Sequence, residues 1–218
     1  MNHLTDIISA WRRQHSHIEP ALDTEPRPAA PDQIAVIESP QIGPGRLLPD
    51  LLPEQVRGSN LRGILTRDEW NRMRIPVCER ARNRCEVCGD AAHDPISGRP
   101  RRPDCHELWS FEIHGDRFVQ RLSGLVALDP ACHRCMHVGL AEIRGELDLV
   151  RAQLARVNGW APDEVQAALD RAYGAFQGRL GLSWDLDLTL LQGQIRVPGL
   201  LIPAVSREAL GNSFRRPS

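Results

Sequence analysis

Two cysteine pairs are the strongest chemical signal in the chain. Cys85 and Cys88 form the first pair, Cys132 and Cys135 form the second, and 43 residues separate Cys88 from Cys132. Gly89 directly follows the first pair, and a glycine there lets the backbone turn so that both sulfurs point at one ion. A single pair would be a weak signal, but two pairs are typical of a Zn²⁺ site. The sequence therefore predicts a structural Zn²⁺ held by these four cysteines.

Histidines beside the second pair indicate another metal site. His133 and His137 are four residues apart, so on a helix they project from one face and can share an ion. A third ligand would have to come from the preceding segment, where Cys105 and Glu107 are candidates. Adjacent strand residues point to opposite faces, so either choice requires a local distortion at His106. Phosphodiester cleavage is chemistry that suits such a site, because it needs a cation beside the phosphate and a base to activate water.

A β-hairpin and a helix must position these side chains. Residues 104–112 and 117–122 flank a His-Gly-Asp turn, which predicts the hairpin. Residues 125–128 are either the end of its second strand or a short third strand. Asp129 and Pro130 then begin a helix, as its N-cap and its first helical residue. The predicted order is the Cys85–Gly89 turn, here called the knuckle, then the hairpin and the helix, a ββα arrangement on a zinc-stabilised base.

Helical patterns surround this segment. Thr66 and Glu69 form a capping box that opens a helix towards Asn83, and Pro76 should kink or divide that helix. Apolar residues recur at helical spacing over 146–157 and again from Pro162, which predicts two packed helices. Residues 184–190 alternate as a half-buried strand does. A short amphipathic helix is predicted at 1–15, a proline-rich linker or surface strap at 16–59, and a tail with little periodicity at 192–218.

Composition bounds the partners and the compartment. All 27 cationic residues among the 218 are arginine, the net charge is −1, and residues 57–102 hold eleven arginines against six acids. That basic neighbourhood favours nucleic acid as a partner, although a solvated polar face has the same composition. No apolar stretch reaches membrane-spanning length and no export signal is evident. Cysteines in ligand spacing then indicate a reducing compartment, and we expect a cytoplasmic protein without a membrane partner.

The motifs resemble those of a known family. A Cys-x2-Cys-Gly turn, a hairpin with a histidine and a helix that opens with Cys-His-x3-His are similar to the HNH endonuclease superfamily, whose ββα-metal site cuts nucleic acid. Residues 60–190 look closer still to bacterial and phage proteins described as HNH-like. The closer resemblance is carried by Cys85-Glu86-Val87-Cys88-Gly89, His106-Glu107-Leu108-Trp109, Gln120-Arg121-Leu122, Cys132-His133 with His137, and Arg156-Val157-Asn158-Gly159-Trp160.

The resemblance implies a fold and roles for particular residues. The implied fold is α+β, a small zinc-stabilised ββα core, HNH-like or treble-clef-like, over 60–145. A helical hairpin and a strand over 146–191 add to that core, and the proline-rich arm precedes it. His106 matches the general base of the superfamily, while His133 and His137 match the ligands of a catalytic Mg²⁺ or another divalent ion.

Two positions depart from the family pattern. Gly124 stands where the superfamily usually has an asparagine that orients the base. In the HNH-like relatives the helix-opening pair would fall at 129 and 132, but here Asp129 replaces the first thiol. Cys135 is the preferred substitute for it, because it lies one turn along from Cys132, and Asp129 is the alternative oxygen ligand.

Three functions are compatible with these patterns. The first is a metal-dependent endonuclease that hydrolyses DNA, with His106, His133 and His137 in its catalytic site. The second is a zinc-stabilised nucleic-acid-binding module without catalysis, which Gly124 favours. The third is a protein-interaction factor of phage or defence context that contacts its partner through the N-terminal arm.

Overall fold

The computed structural model describes residues 35–37, 42–53, 56, 60–193 and 200–204. All of them belong to one compact unit, Gln33–Ser218. The predicted helix at 1–15, much of the predicted arm and most of the predicted tail lie outside the described residues. In the described part, every helix is too short or too polar to cross a membrane.

Five strands form one sheet. Their bounds are β1 Ala35–Ile37, β2 Asp104–His114, β3 Arg117–Leu128, β4 Trp184–Asp187 and β5 Leu201–Ile202. They lie side by side in chain order; β3 and β4 pair in parallel and the other neighbours are antiparallel. Because β1 pairs only with residues 111–113, the first half of β2 has a neighbouring strand on one side only among the described strands.

Six helices complete the described α+β architecture. Their bounds are α1 Leu61–Ile64, α2 Arg67–Arg80, α3 Pro130–Cys135, α4 Val138–Ile143, α5 Leu147–Asn158 and α6 Pro162–Arg179. The predicted capping box opens α2, with the Glu69 amide donating to the Thr66 hydroxyl over 3.3 Å and the Thr66 amide donating to the Glu69 carboxylate over 3.0 Å. Pro76 lies inside α2 but does not divide it.

The predicted hairpin is present and longer than expected. β2 and β3 pair continuously from Asp104 opposite Leu128 to His114 opposite Arg117, so residues 125–128 are the end of the second strand. The register shifts once, between Leu108 and Trp109. Residues 105–107 pair without interruption, and no backbone distortion occurs at His106.

The sheet separates two apolar cores, and alternation along β2 sends neighbouring residues to opposite sides. Trp109 packs in the core beneath α1 and α2, together with Leu61 and Trp70. Leu108 packs in the core formed with α3, α5 and α6. His106 therefore points towards α3, whereas Glu107 points towards α1.

Part of the predicted proline-rich arm is built into the core. Leu47 and Leu51 are buried against α4, α5 and α6, and Asn158 bonds both the amide and the carbonyl of Leu47, at 2.9 and 2.8 Å. Asp50 lies 3.4 Å from the buried guanidinium of Arg179. Their composition suggested a strap along the surface, but residues 47–53 are buried or partly buried, and only residues 44–46 of this segment are exposed.

The strand predicted at 184–190 ends early, at Asp187. Its carboxylate accepts a hydrogen bond of 2.8 Å from the amide of Thr189 and another from the Thr189 hydroxyl. An Asp that bonds the backbone two residues ahead makes a local turn. After this turn, Thr189–Leu191 form a short 3₁₀ helix and not the end of the strand.

Candidate metal centres and the arginine cleft

The Cys-x2-Cys segment forms a tight turn beside the hairpin. Gly89 has a φ of +76°, which other residues rarely adopt, and its amide donates to the carbonyl of Cys85 over 3.0 Å. Glu86 fastens this turn to β3, because its amide donates to Ala127 over 2.8 Å and its carboxylate accepts from the Ala127 amide over 2.7 Å. The two thiols are thereby held against the end of β3, where the chain enters α3.

Helix α3 brings two more ligand atoms to the same place. Asp129 is its N-cap, and one carboxylate oxygen, Oδ1, accepts from the amides of Ala131 and Cys132 at 2.7 and 3.1 Å. The other oxygen, Oδ2, lies 2.9 Å from the sulfur of Cys88. One side chain thus caps the helix and also faces the thiols. A single carboxylate performs both tasks because its two oxygens point in different directions.

Cys85, Cys88, Asp129 and Cys132 form a group that could hold a metal ion, here called the Cys–Asp cluster; one ligand atom from each lies within 4.8 Å of the others. Cys135, the preferred fourth ligand from the sequence, is outside it. Its sulfur is 3.8 Å from the carbonyl of Val150 on α5. Residues three apart on a helix differ by about 60° in direction and 4.5 Å in height, and that offset turns Cys135 away from the knuckle. Asp129, the alternative ligand, completes the group instead.

The Cys–Asp cluster concentrates acidic groups in a largely buried space. The hydrogen bond between Cys85 and Cys132 lowers the pKa of Cys85 to about 6. Burial and the neighbouring Asp129 raise the pKa of Cys88 to about 12. The hydrogen bond with Cys85 and burial likewise raise the pKa of Cys132. The thiols therefore cannot all ionise side by side unless a cation offsets their charge.

Helix α5 supplies outer contacts to the Cys–Asp cluster. The side-chain amide of Gln153, which is buried, donates to the sulfur of Cys132 over 3.0 Å. Arg156 bonds Asp90, just after the knuckle, over 2.9 Å. Donors aimed at a ligand sulfur orient it and stabilise its thiolate. No sequence pattern predicts this contact, because Gln153 follows Cys132 by 21 residues and belongs to another helix.

The three predicted catalytic histidines do come together. His106, His133 and His137 each offer a nitrogen within 4.8 Å of the others, and we call them the His cluster. Their ring centroids are 4.7 to 5.2 Å apart, and the Nε2 atoms of His133 and His137 are separated by 3.1 Å. Cys105 and Glu107, the candidate third ligands, are not members of the group. His106 itself fills that place.

Two members of the His cluster, His106 and His137, have lowered pKa values. Burial, and then the neighbouring imidazoles of His137 and His133, hold the pKa of His106 well below its ordinary value. Burial and the proximity of His133 lower the pKa of His137 to about 4. His106 is only 3% exposed, and its Nδ1 has no hydrogen-bond partner in the described part of the chain. Neutral imidazoles are the form that binds metal ions.

Asp104 faces the outer nitrogen of His133. Its carboxylate lies 3.5 Å from His133 Nδ1 and also accepts a hydrogen bond from Arg101. Burial acts to raise the pKa of Asp104, but His133 and Arg101 lower it on balance. A carboxylate on one nitrogen of an imidazole fixes the tautomer and leaves the other nitrogen free to bind an ion.

A cleft of about 1080 Å³ opens beside the His cluster, along the half of β2 that lacks a second neighbour. His133 and His137 line it, and so do Asp104 and Glu107. Its cationic lining residues are Arg62, Arg67, Arg74, Arg101 and Arg102. We call this space the arginine cleft. Five guanidinium groups against two carboxylates make it a basic site that suits a polyanion.

Glu107 reaches this cleft from the α1 side. One of its oxygens accepts from the amide of Leu61, the first residue of α1, over 3.2 Å. Burial raises the pKa of Glu107. His106 and Glu107, although adjacent in sequence, therefore border the site from opposite faces of the sheet.

The two clusters share α3. Cys132 of the Cys–Asp cluster is followed directly by His133 of the His cluster, and Asp129 caps the helix that carries both. Gly124, where the superfamily has asparagine, lies opposite Leu108 on the hairpin. A Cβ atom there would lie 3.5 Å from the Leu108 side chain, so a small side chain would fit.

Comparisons with protein-family models, with curated proteins and with solved structures find no match to this chain. The resemblance to HNH endonucleases stays a prediction from the sequence motifs.

Proposed function

We propose that the protein is an HNH-like, metal-dependent endonuclease that hydrolyses phosphodiester bonds in DNA. The observation that carries this proposal is the position of three clustered imidazoles beside a cleft with five arginines. The strand–strand–helix order around them agrees with the ββα core that the motifs predict.

The donor atoms fit a divalent cation in the His cluster. His106, His133 and His137 each supply one nitrogen, and the buried Nδ1 of His106 is otherwise without a partner among the described residues. A buried polar atom that lacks a partner needs an explanation, and ligation provides one. His106 then acts as a ligand, which differs from the base role that the family resemblance implies.

A divalent cation bound there would acidify water and offset charge on the phosphate. The side chains around it have separate tasks. Arg62 and Arg67 on one wall and Arg102 on the other attract and orient the phosphate backbone. Glu107 is the carboxylate of the α1 wall, and it accepts the proton that the attacking water releases.

The Cys–Asp cluster fits Zn²⁺ in a structural role. Three sulfurs and one carboxylate oxygen match the ligands and the coordination number that structural zinc prefers. The ion would be enclosed by α3, the knuckle and Gln153 of α5. It would hold α3 in place, and with α3 it would hold His133.

Plasmid nicking tests the proposal. Protein with Mg²⁺, Mn²⁺, Ni²⁺ or Zn²⁺ should convert supercoiled DNA to the open form, and His106→Ala and His133→Ala should each lower the rate by about 100-fold or more. His114→Ala is the matched control, because His114 lies on the same strand as His106 but roughly 26 Å away along it. Wild-type protein that is inert with every ion, or cluster variants that cut normally, would contradict the proposal.

A second function follows from Gly124. Without the family's asparagine, the same zinc-stabilised fold and arginine cleft would serve a nucleic-acid-binding module that does not cut. Such a module should bind DNA in a salt-dependent manner, with no product in the nicking assay. Binding that does not change with salt would exclude it.

A further inference from the structure

One apolar side chain is almost fully exposed to solvent, a few residues before the arginines that line the cleft. Ile96 is 96% exposed, more than any other large apolar residue in the described part of the chain. It lies in the loop that joins the knuckle to β2, directly after Pro95, which is also exposed. Single exposed apolar residues are common on protein surfaces, so the local structure must decide whether this one has a role.

The turn that carries Ile96 is firmly built. The carboxylate of Asp94 accepts hydrogen bonds from the amides of Ile96 and Ser97, at 3.1 and 2.7 Å, and from the Ser97 hydroxyl at 2.8 Å. The amides of Asp94 and Gly98 close the turn, with bonds of 2.9 Å each. A polar residue at position 96 would be compatible with every one of these bonds, because they use only the backbone of Ile96. The apolar tip is thus displayed by a preorganised turn.

Arginines follow the tip along the chain, and two of them line the arginine cleft. Arg99 follows the turn, and Arg101 and Arg102 come next and line the arginine cleft. Arg101 is five positions after Ile96, so at most about 17 Å of chain lies between them. That span equals about five base-pair steps of a duplex, since each strand carries one phosphate per 3.4 Å or so.

An apolar tip within a cationic surface matches the chemistry of duplex nucleic acid, whose phosphates lie outside and whose bases stack inside. We propose that Ile96 is a wedge that enters between base pairs of a duplex bound along the arginine cleft, and unstacks them within about five steps of the cleft. This inference rests on the proposed function for its nucleic-acid substrate, and it adds that the substrate is double-stranded and deformed on binding.

Duplexes with 2-aminopurine at successive positions test the wedge, because this base fluoresces more strongly when it is unstacked. Binding should be measured with full-length protein and without added Mg²⁺ or Mn²⁺. Wild type should raise the fluorescence at one or two neighbouring positions. Ile96→Ser should lose that increase and bind the duplex on the order of tenfold more weakly, the scale of one stacking contact. Ile96→Leu should retain both properties.

Leu190→Ser is the matched control, since Leu190 is also an exposed apolar residue but lies on the 3₁₀ helix after β4. It should behave as wild type does. Unstacking by Ile96→Ser, or no unstacking by wild type at any position, would overturn the wedge even if the protein cuts DNA. Unstacking by wild type, together with no product in the nicking assay with any of the four ions, would refute the endonuclease and leave the wedge in place, whereas no duplex binding would refute both.

Discussion

Replacing Asp129 by asparagine separates its two tasks. Asparagine retains an oxygen that can accept from the amides of Ala131 and Cys132, so the cap of α3 should survive. It removes the anionic oxygen that faces Cys88. We therefore expect Asp129→Asn to fold, and to bind Zn²⁺ more weakly than wild type.

The size of the loss can be worked out from the ligand set. Structural zinc sites contribute roughly 10–16 kcal/mol of apparent binding free energy, which four ligands would share at about 2.5–4 kcal/mol each. Losing one ligand then raises the dissociation constant for Zn²⁺ by about 10²- to 10³-fold. Asp129→Ala should lose a further ~1 kcal/mol of folding stability, because it also removes the cap.

Cys135→Ala is the matched comparison. Cys135 is fully buried and lies outside the Cys–Asp cluster, so its loss should lower the free energy of unfolding by ~1 kcal/mol and leave zinc affinity unchanged. Competition against a chromophoric chelator measures the affinity, and urea unfolding with and without EDTA measures the stability. Equal weakening by Cys135→Ala, or normal affinity in Asp129→Asn, would refute the assigned ligand set.

Three further predictions concern the His cluster. Glu107→Gln should slow cleavage by about 100-fold, as expected for loss of a proton acceptor, with metal content unchanged; cutting at the wild-type rate would exclude this role. Asp104→Asn should weaken binding of the second ion by about 10- to 100-fold, because His133 loses its orienting carboxylate; isothermal titration would show it, and an unchanged affinity would contradict it. In metal-free protein burial lowers the pKa of His106 well below its ordinary value and that of His137 to about 4, so the folded state binds fewer protons than the unfolded state below pH ~6.5. The free energy of unfolding should then decrease as the pH is lowered from ~6.5 to about 4, by up to roughly 1.4 kcal/mol per pH unit for each such histidine. Urea unfolding across this pH range should show a smaller slope for His137→Gln than for wild type.

Local patterns in the sequence predicted much of the framework. The capping box at Thr66, the turn between β2 and β3 and the Asp-Pro start of α3 each depend on neighbouring residues, so spacing alone located them. The spacing of His133 and His137 predicted one face of a single helix, which is wrong, because α3 ends at Cys135 and His137 is the N-cap of α4. Their Nε2 atoms nevertheless lie 3.1 Å apart. The structure confirms that these three elements exist and that the three histidines meet.

The features that the sequence missed depend on contacts between distant residues. The packing of Leu47 and Asp50 is settled by Asn158 and Arg179, more than 100 residues away, and a high proline content pointed to the surface instead. Whether Asp129 or Cys135 is the fourth ligand depends on how α3 is oriented about its own axis. One feature of the sequence did favour Asp129 as the ligand. An N-cap aspartate needs only one oxygen for the cap, so its second oxygen is available to bind a metal ion.

Cobalt titration of metal-free protein tests the central claim most directly. Co²⁺ bound to thiolates absorbs strongly in the near ultraviolet, whereas Co²⁺ bound to imidazoles does not. We predict two equivalents per chain, one with the thiolate band and one without it, and loss of only the second in His106→Ala. A single equivalent in wild type, or two equivalents in His106→Ala, would show that the His cluster holds no ion.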